Sequence, residues 1–223
     1  MKKPVIAIDG FSSTGKSSIS KIIAEKLGIV HLDTGALYRG ITWFALQNCL
    51  NEDETINLNQ LFDSFSLIEL EFKNDKGELV LFLNHINISK EIRSNEVSDN
   101  VSLIAKQKEV RDFLLQSQRN LAEKGGIIMD GRDIGTVVLP NADFKFFLTA
   151  SIEERTKRRH QELLSLGIEA DEQQVRENLI ARDKIDSERE IAPLKQADDA
   201  IVIDNTMLTK KETIESILTH LKN

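Results

Sequence analysis

One cysteine, three prolines, one tryptophan and one tyrosine are spread over 223 residues, and no long apolar run occurs in the chain. Each scarcity removes a class of protein. A lone thiol, Cys49, has no internal partner, which excludes a disulfide-stapled secreted scaffold and points to a reducing, cytoplasmic setting. So few prolines leave no proline-rich linker. Aromatic residues do not interleave with basic ones, so no stacking platform for single-stranded nucleic acid is expected. Positive charge is in deficit: 29 Lys+Arg against 36 Asp+Glu give a net charge of −7, the wrong sign for a broad nucleic-acid surface. Behind Lys2 and Lys3 the apolar stretch Val5–Ile8 is too short for a signal-peptide core or a membrane span. A soluble protein with no membrane or nucleic-acid partner is expected. Acidic charge without an exposed apolar stripe suggests a monomer. The four histidines, His31, His85, His160 and His220, show no metal-ligand spacing.

What the chain does contain is an alternation of apolar strands and amphipathic helices. "VIAID" (5–9), "IVHLD" (29–33), "GGIIMD" (125–130), "FKFFL" (144–148) and "AIVID" (200–204) read as buried strands. Ile19, Ile22, Ile23 and Leu27 at helical spacing, stopped by Gly28, predict a helix over 16–27. Helices are also expected over 36–50, 106–124 and 173–186. Another is expected between a capping box at Ser151 and Glu154 and a stop at Gly167, and a last one behind Thr209 and Glu212. This is an α/β pattern: a central parallel sheet covered by helices on both faces, within one domain over 1–223. In "LIELEFKNDKGELVLFLN" (67–84), Ile68, Leu70 and Phe72 alternate with charged residues around the turn "NDKG" (74–77). An antiparallel hairpin is expected there, in a small insertion at about 63–100.

The chemistry concentrates in "IAIDGFSSTGKSS" (6–18). Gly10, Gly15, Lys16 and Ser17 fit G-x-x-x-x-G-K-[ST], placed between a predicted strand and a predicted helix. In that arrangement the backbone N–H groups of Gly10, Ser12, Ser13, Thr14, Gly15, Ser17 and Ser18 cradle the phosphates of a nucleotide, and Lys16 reaches the outer ones. The Ser17 hydroxyl is placed for Mg²⁺, with Asp130 at the end of a predicted strand as the carboxylate that orients the metal. A glycine- and serine-rich turn would look similar, and Asp130 could be a simple turn former. "ERTKRR" sets Arg155, Arg158 and Arg159 just before an acidic connection, as a lid over the transferring phosphate or as a solvated face pairing with Glu154 and Glu162.

"DTGALYRG" (33–40) and "DGRDIGTVVLP" (130–140) each put an arginine just past a predicted strand, where ligands bind in open parallel sheets. With the loop at 10–17 and "ARDKIDSEREIAPL" (181–194), in that order, the chain resembles the bacterial cytidylate kinases, nucleoside monophosphate kinases with a P-loop fold. The resemblance spans nearly the whole chain. It implies a three-layer α/β/α P-loop domain, a monophosphate-binding region over 34–111 containing the hairpin insert, and a helical lid with flanking helices over 155–189. It further implies that Arg39, Arg132 and Arg189 bind the acceptor phosphate. Ser102, Arg111 and Asp133 would read cytosine, Arg182 and Asp186 would hold the sugar hydroxyls, and Thr34 would line the same pocket. Lys16, Arg132, Arg189 and Asp130 would carry catalysis, with ATP and Mg²⁺ as cofactors and CMP and dCMP as acceptors. Phe11 and Ser13 depart from the family's usual proline and glycine, and Thr34 stands where serine is frequent. A P-loop kinase for UMP, AMP or a non-nucleotide alcohol, and a regulatory protein that binds ATP without transferring phosphate, are the competing readings.

Overall fold

The structure, a computed structural model, describes residues 3–75 and 78–221. In chain order the elements are β1 (Val5–Gly10), α1 (Lys16–Leu27), β2 (Val30–Asp33), α2 (Thr34–Asn48), α3 (Leu58–Asp63), β3 (Leu70–Asp75), β4 (Glu78–Leu83) and β5 (Ile86–Asn87). They continue with α4 (Asn95–Ala105), α5 (Lys108–Ala122), β6 (Ile127–Gly131), β7 (Phe144–Thr149), α6 (Ile152–Ser165), α7 (Glu172–Glu188), β8 (Ile201–Asp204) and α8 (Lys210–His220). The chain divides into a first unit, Met1–Leu32 with Leu121–Asn223, and a second, Asp33–Asn120.

The first unit is built on a sheet of order β2-β6-β1-β7-β8. β1 lies at its centre, parallel to β6 (Ile8 opposite Asp130) and to β7 (Ile8 opposite Phe146). Ile6, Ala7 and Ile8 have no exposed surface, which is what a strand covered on both faces requires. Ile19 and Ile23, one helical turn apart on α1, and Ile214 and Ile217 on α8 pack into the same core as Ile6, Ile128 and Phe146. Gly28 ends α1 at φ 62°, its N–H bonding the carbonyls of Ala24 and Glu25. The expected α/β class with a central parallel sheet is therefore present, and the central strand runs straight into the glycine loop.

The second unit has its own core, in which α2 contributes Leu37, Ile41, Phe44 and Ala45, the hairpin Leu81 and Leu83, and α4 Ile104. Gly40 lets α2 approach the hairpin closely: a Cβ there would stand 3.0 Å from both Leu70 and Leu81. Cys49, just past the end of α2, is fully buried in this core. β3 and β4 pair antiparallel with Leu70 opposite Leu83 and Phe72 opposite Leu81. Of the predicted turn, Lys76 and Gly77 lie outside the described residues.

Several local readings needed adjustment. A third strand, β5, extends the hairpin through a tight turn at Asn84 and His85, both at positive φ (47° and 68°). The helix expected from 36 begins at Thr34, because Asp33 Oδ1 accepts the Ala36 N–H at 3.2 Å. The helix expected over 106–124 is preceded by a separate one, α4, capped by Ser94. At Ser151 only half of the box forms: Ser151 Oγ accepts from the Glu154 N–H, while Glu154 Oε1 accepts from Arg158. The reciprocal box does form at Thr209 and Glu212. Among the described residues no helix is long and apolar enough to cross a membrane.

Candidate active site

The loop after β1 owes its shape to two glycines and one serine. A Cβ on Gly10 would stand 2.0 Å from the Leu148 carbonyl oxygen on β7, so only glycine lets the strand turn there. Gly15, at φ 87°, opens α1 without a side-chain cap, which turns the first-turn N–H groups and the positive end of the helix dipole toward an anion. Lys16 is buried, its Nζ donating to the Phe11 carbonyl at 2.6 Å and to Thr14 Oγ1 at 3.4 Å. Thr14 Oγ1 donates to that same carbonyl at 3.0 Å. The ammonium is thus held inside the loop that would receive phosphate.

Ser13 sits at φ 60°, in the left-handed region. A residue with a side chain pays about 1–2 kcal/mol for that conformation. Glycine removes the cost but raises the entropy of the unfolded chain by about 0.4–1 kcal/mol. Ser13→Gly is therefore expected to stabilise the protein by about 1 kcal/mol, a rise of about 2–4 °C in Tm by calorimetry. An unchanged or lower midpoint would mean that the loop holds Ser13 without strain.

Asp9, which the sequence reading passed over, anchors the neighbouring loop. Its two oxygens accept the N–H groups of Ile134 and Gly135, each at 2.7 Å, and so fix the turn that carries Asp133. Burial pushes its carboxyl from 3.8 up to about 7; the Gly135 and Ile134 N–H groups oppose this, Asp133 adds to it and Lys16 opposes it. A carboxyl that keeps its proton longer in the folded than in the unfolded state loses stability as pH rises between the two values. Asp9→Asn does not titrate, so its Tm should gain on the wild type from pH 3.8 to about 7 and then run parallel to it. A difference that stays flat across that interval would return Asp9 to an ordinary carboxylate.

Asp130, the last residue but one of β6, is buried, with His31 Nε2 at 2.6 Å from its Oδ1. His31, read as an isolated histidine, is thereby the neighbour of the candidate metal ligand. A hydroxyl from Ser17 and a carboxylate from Asp130 are hard oxygen donors of the kind Mg²⁺ takes, with room in its shell for phosphate oxygens and water.

Beyond this the first unit gathers four of the predicted acceptor residues, Arg132, Asp133, Asp186 and Arg189, into one network. Arg132 Nε donates to Asp186 Oδ2 at 3.0 Å, and Arg132 Nη2 reaches Ser12 Oγ of the phosphate loop at 3.3 Å. Arg189 lies 3.5 Å from Asp133 and 3.9 Å from Asp186, and its Nε donates to the Ala192 carbonyl at 2.7 Å. Burial would raise the Asp186 carboxyl, but Arg132, Arg189 and Arg182 hold it below its ordinary value. Arg155 is also buried: it donates to Ala150 O, Ser12 O and Asp183, and its guanidinium lies 5.1 Å from the centre of the Phe11 ring. That ring packs edge-on against Phe147. Phe11, in place of the family's usual proline, thus forms a platform for Arg155. Burial raises the Asp183 carboxyl even beside Arg155.

Arg158 and Arg159 meet the acids of the solvated-face reading. Arg158 bonds Glu154 at 2.9 Å and Arg159 bonds Glu162 at 2.8 Å. Arg158 does more, since it also bonds Asn205 and helps line a cleft of about 240 Å³ beside Thr14, Gly15 and Leu208. A concave site that opens on the phosphate loop suits the nucleoside of a triphosphate donor.

The second unit carries the other predicted residues. Arg39 Nη2 donates to Asp33 Oδ2 at 2.5 Å, which fixes the guanidinium at the start of α2. Thr34 and Ser102 are buried. Arg111 is buried as well, donating to the Ala105 carbonyl at 3.1 Å, and its guanidinium lies 5.4 Å from the Tyr38 ring centre.

With this geometry in view the chain can be set beside known proteins. The family model described as cytidylate kinase matches residues 6–223. The cytidylate kinase of Bacillus thuringiensis is 44% identical over 217 residues, covering 97% of this chain and 95% of the relative. That of Bacillus anthracis gives the same figures, 44% over 97% and 95%. In fold alone, the crystal structure of an uncharacterised protein from Eubacterium ventriosum is similar at a TM-score of 0.53, with 12% identity and 99% of each chain covered. The phosphate loop, the network behind it and a likeness that runs from the first strand to the last helix lead to one conclusion: the chain belongs to the cytidylate kinase family.

Proposed function

We propose that this protein transfers the γ-phosphate of ATP to CMP, and also to dCMP, by direct in-line attack. Membership of the cytidylate kinase family supports an ATP-dependent nucleoside monophosphate kinase making CDP from CMP. The observation that carries the mechanism is the bond from Arg132, an acceptor-side arginine, to Ser12 of the phosphate loop. That bond ties an acceptor-side cation to the same loop that holds Lys16.

Two polyanions must come within about 3–3.5 Å for in-line attack. The transition state is loose, so positioning and charge matter more than covalent chemistry. Lys16 would take the outer phosphates of ATP, while Arg39, Arg132 and Arg189 would take the phosphate of the acceptor. Ser17 and Asp130 would hold Mg²⁺, which when bound neutralises charge on the donor phosphates. Arg155, now bonded to Asp183 and Ser12, would turn to the transferring phosphate as the lid, which with its flanking helices spans 155–189, closes.

Cytosine offers an N4 amino donor beside acceptors at N3 and O2, which match a carboxylate at Asp133 and donors at Arg111 and Ser102. Uracil reverses the pattern and would set its O4 against a carboxylate. Arg182 and Asp186 would hold the sugar hydroxyls. We further propose that the enzyme is a cytoplasmic monomer that does not bind nucleic acid, in keeping with one cysteine and a net charge of −7.

The test is label transfer. With γ-labelled ATP, Mg²⁺ and CMP, the label is expected in CDP. Label released only as inorganic phosphate would make the protein an ATPase, and label retained in ATP would favour a nucleotide sensor.

A further inference from the structure

Asn205, the residue after β8, is buried and uses every hydrogen-bonding group it has. Its backbone N–H donates to the Thr149 carbonyl at the end of β7 at 2.9 Å. Its side-chain Nδ2 donates to the Thr14 carbonyl of the phosphate loop at 2.9 Å. Its Oδ1 accepts from Arg158 Nη1 at 3.0 Å, and its own carbonyl accepts from Arg158 Nη2 at 2.8 Å. Glu154 takes the remaining edge of that guanidinium through Nε at 2.9 Å. The plane of Arg158 is therefore set by three acceptors, two of which belong to Asn205.

Thr14, Arg158 and Asn205 all line the cleft beside the phosphate loop. A primary amide is suited to the link because it carries a donor and an acceptor on one carbon. Aspartate could still face Arg158 but would set an oxygen against the Thr14 carbonyl. Alanine would leave the buried Thr14 carbonyl without this donor and Arg158 Nη1 without its acceptor, which is costly for a buried polar group, while the backbone carbonyl of residue 205 and Glu154 would still hold the other two edges of the guanidinium.

We propose that Asn205 is a positioning residue of the donor site: it ties the phosphate loop to Arg158, and the affinity for the triphosphate donor depends on that tie. The inference rests on the kinase reading above and goes beyond it in assigning the role to a residue that matches no part of the phosphate-loop motif. It concerns the donor only, since none of these bonds involves a residue assigned to CMP.

The experiment compares wild type, Asn205→Ala, Asn205→Asp, Arg158→Ala and the double variant Asn205→Ala/Arg158→Ala. KM is measured for ATP and for CMP, and the Kd of ATP by direct titration. Loss of one buried and one partly buried bond is expected to raise the KM and Kd for ATP about tenfold in Asn205→Ala, with the KM for CMP unchanged. Asn205→Asp should raise them as well, because it lacks the donor to Thr14, and it serves should the alanine variant not fold. In the double variant the effect should not exceed that of Arg158→Ala by the full Asn205→Ala factor, because the two residues act through one contact. ATP affinity left at the wild-type value in both Asn205 variants, KM raised equally for ATP and CMP, or full additivity would each overturn the proposal. Failure of the kinase reading looks different: wild type would then give no CMP-dependent ADP, while the ATP titration still decides the role of Asn205.

Discussion

Lys16→Ala is expected to lower the rate of phosphoryl transfer by about 10³-fold or more while leaving the fold intact. The size follows from the chemistry: one fixed cation on the outer phosphates is removed from a site where charge stabilisation is the main source of rate. The survival of the fold follows from the bonding. Lys16 Nζ sits on the Phe11 carbonyl, but Thr14 Oγ1 donates to the same carbonyl, so truncating the lysine orphans no acceptor there. The measurement is ADP release at saturating CMP, with circular dichroism and Tm as controls for folding. Turnover within about tenfold of wild type would remove Lys16 from the transfer step.

Asp133→Asn is expected to act on recognition instead. Asp133 is buried beside Arg189, on the turn that Asp9 fixes by two backbone bonds. Asparagine keeps the size but can present an N–H₂ where the carboxylate offered only acceptors. The cytosine N4 donor then loses its charged acceptor, and the O4 of uracil gains a donor. The KM for CMP should rise about tenfold, and the preference for CMP over UMP should fall by about 10–100-fold. A KM for CMP and a CMP/UMP ratio both equal to wild type would take Asp133 out of base reading. A fall in kcat alone would move it to phosphate positioning through Arg189.

What the sequence made legible is what is local. The phosphate loop is declared by spacing within eight residues, and its structural demands are carried by Gly10 and Gly15, whose roles the close approach to Leu148 and the positive φ at Gly15 explain. Ser13 could be singled out because it stands where glycine is usual, and its φ of 60° shows what glycine would have eased. The helix ends at Gly28, Gly167 and Thr209 were readable for the same reason.

The supporting residues were hidden because their partners are distant in sequence. Asp9 bonds a loop 126 positions away, His31 meets Asp130 across 99, and Asn205 reaches Thr14 across 191. Periodicity carries no trace of such pairs. A carboxylate closing an all-apolar strand, as in "VIAID", is the one signal that could have drawn attention to Asp9. Arg158 was ambiguous between lid and solvated face because Glu154 lies four positions before it. The ion pair is present, and Asn205 on a different element adds the contacts that direct the guanidinium to the cleft.

The most direct measurement is the initial rate of ADP release with Mg²⁺ and ATP, taken separately with CMP, dCMP, UMP, AMP and GMP. Fast turnover with CMP and dCMP, and slow turnover with the rest, is the expected result. Equal or faster turnover with UMP or a purine monophosphate would contradict base reading by Asp133 and Arg111, and no turnover with any of the five would contradict phosphoryl transfer to a nucleotide altogether.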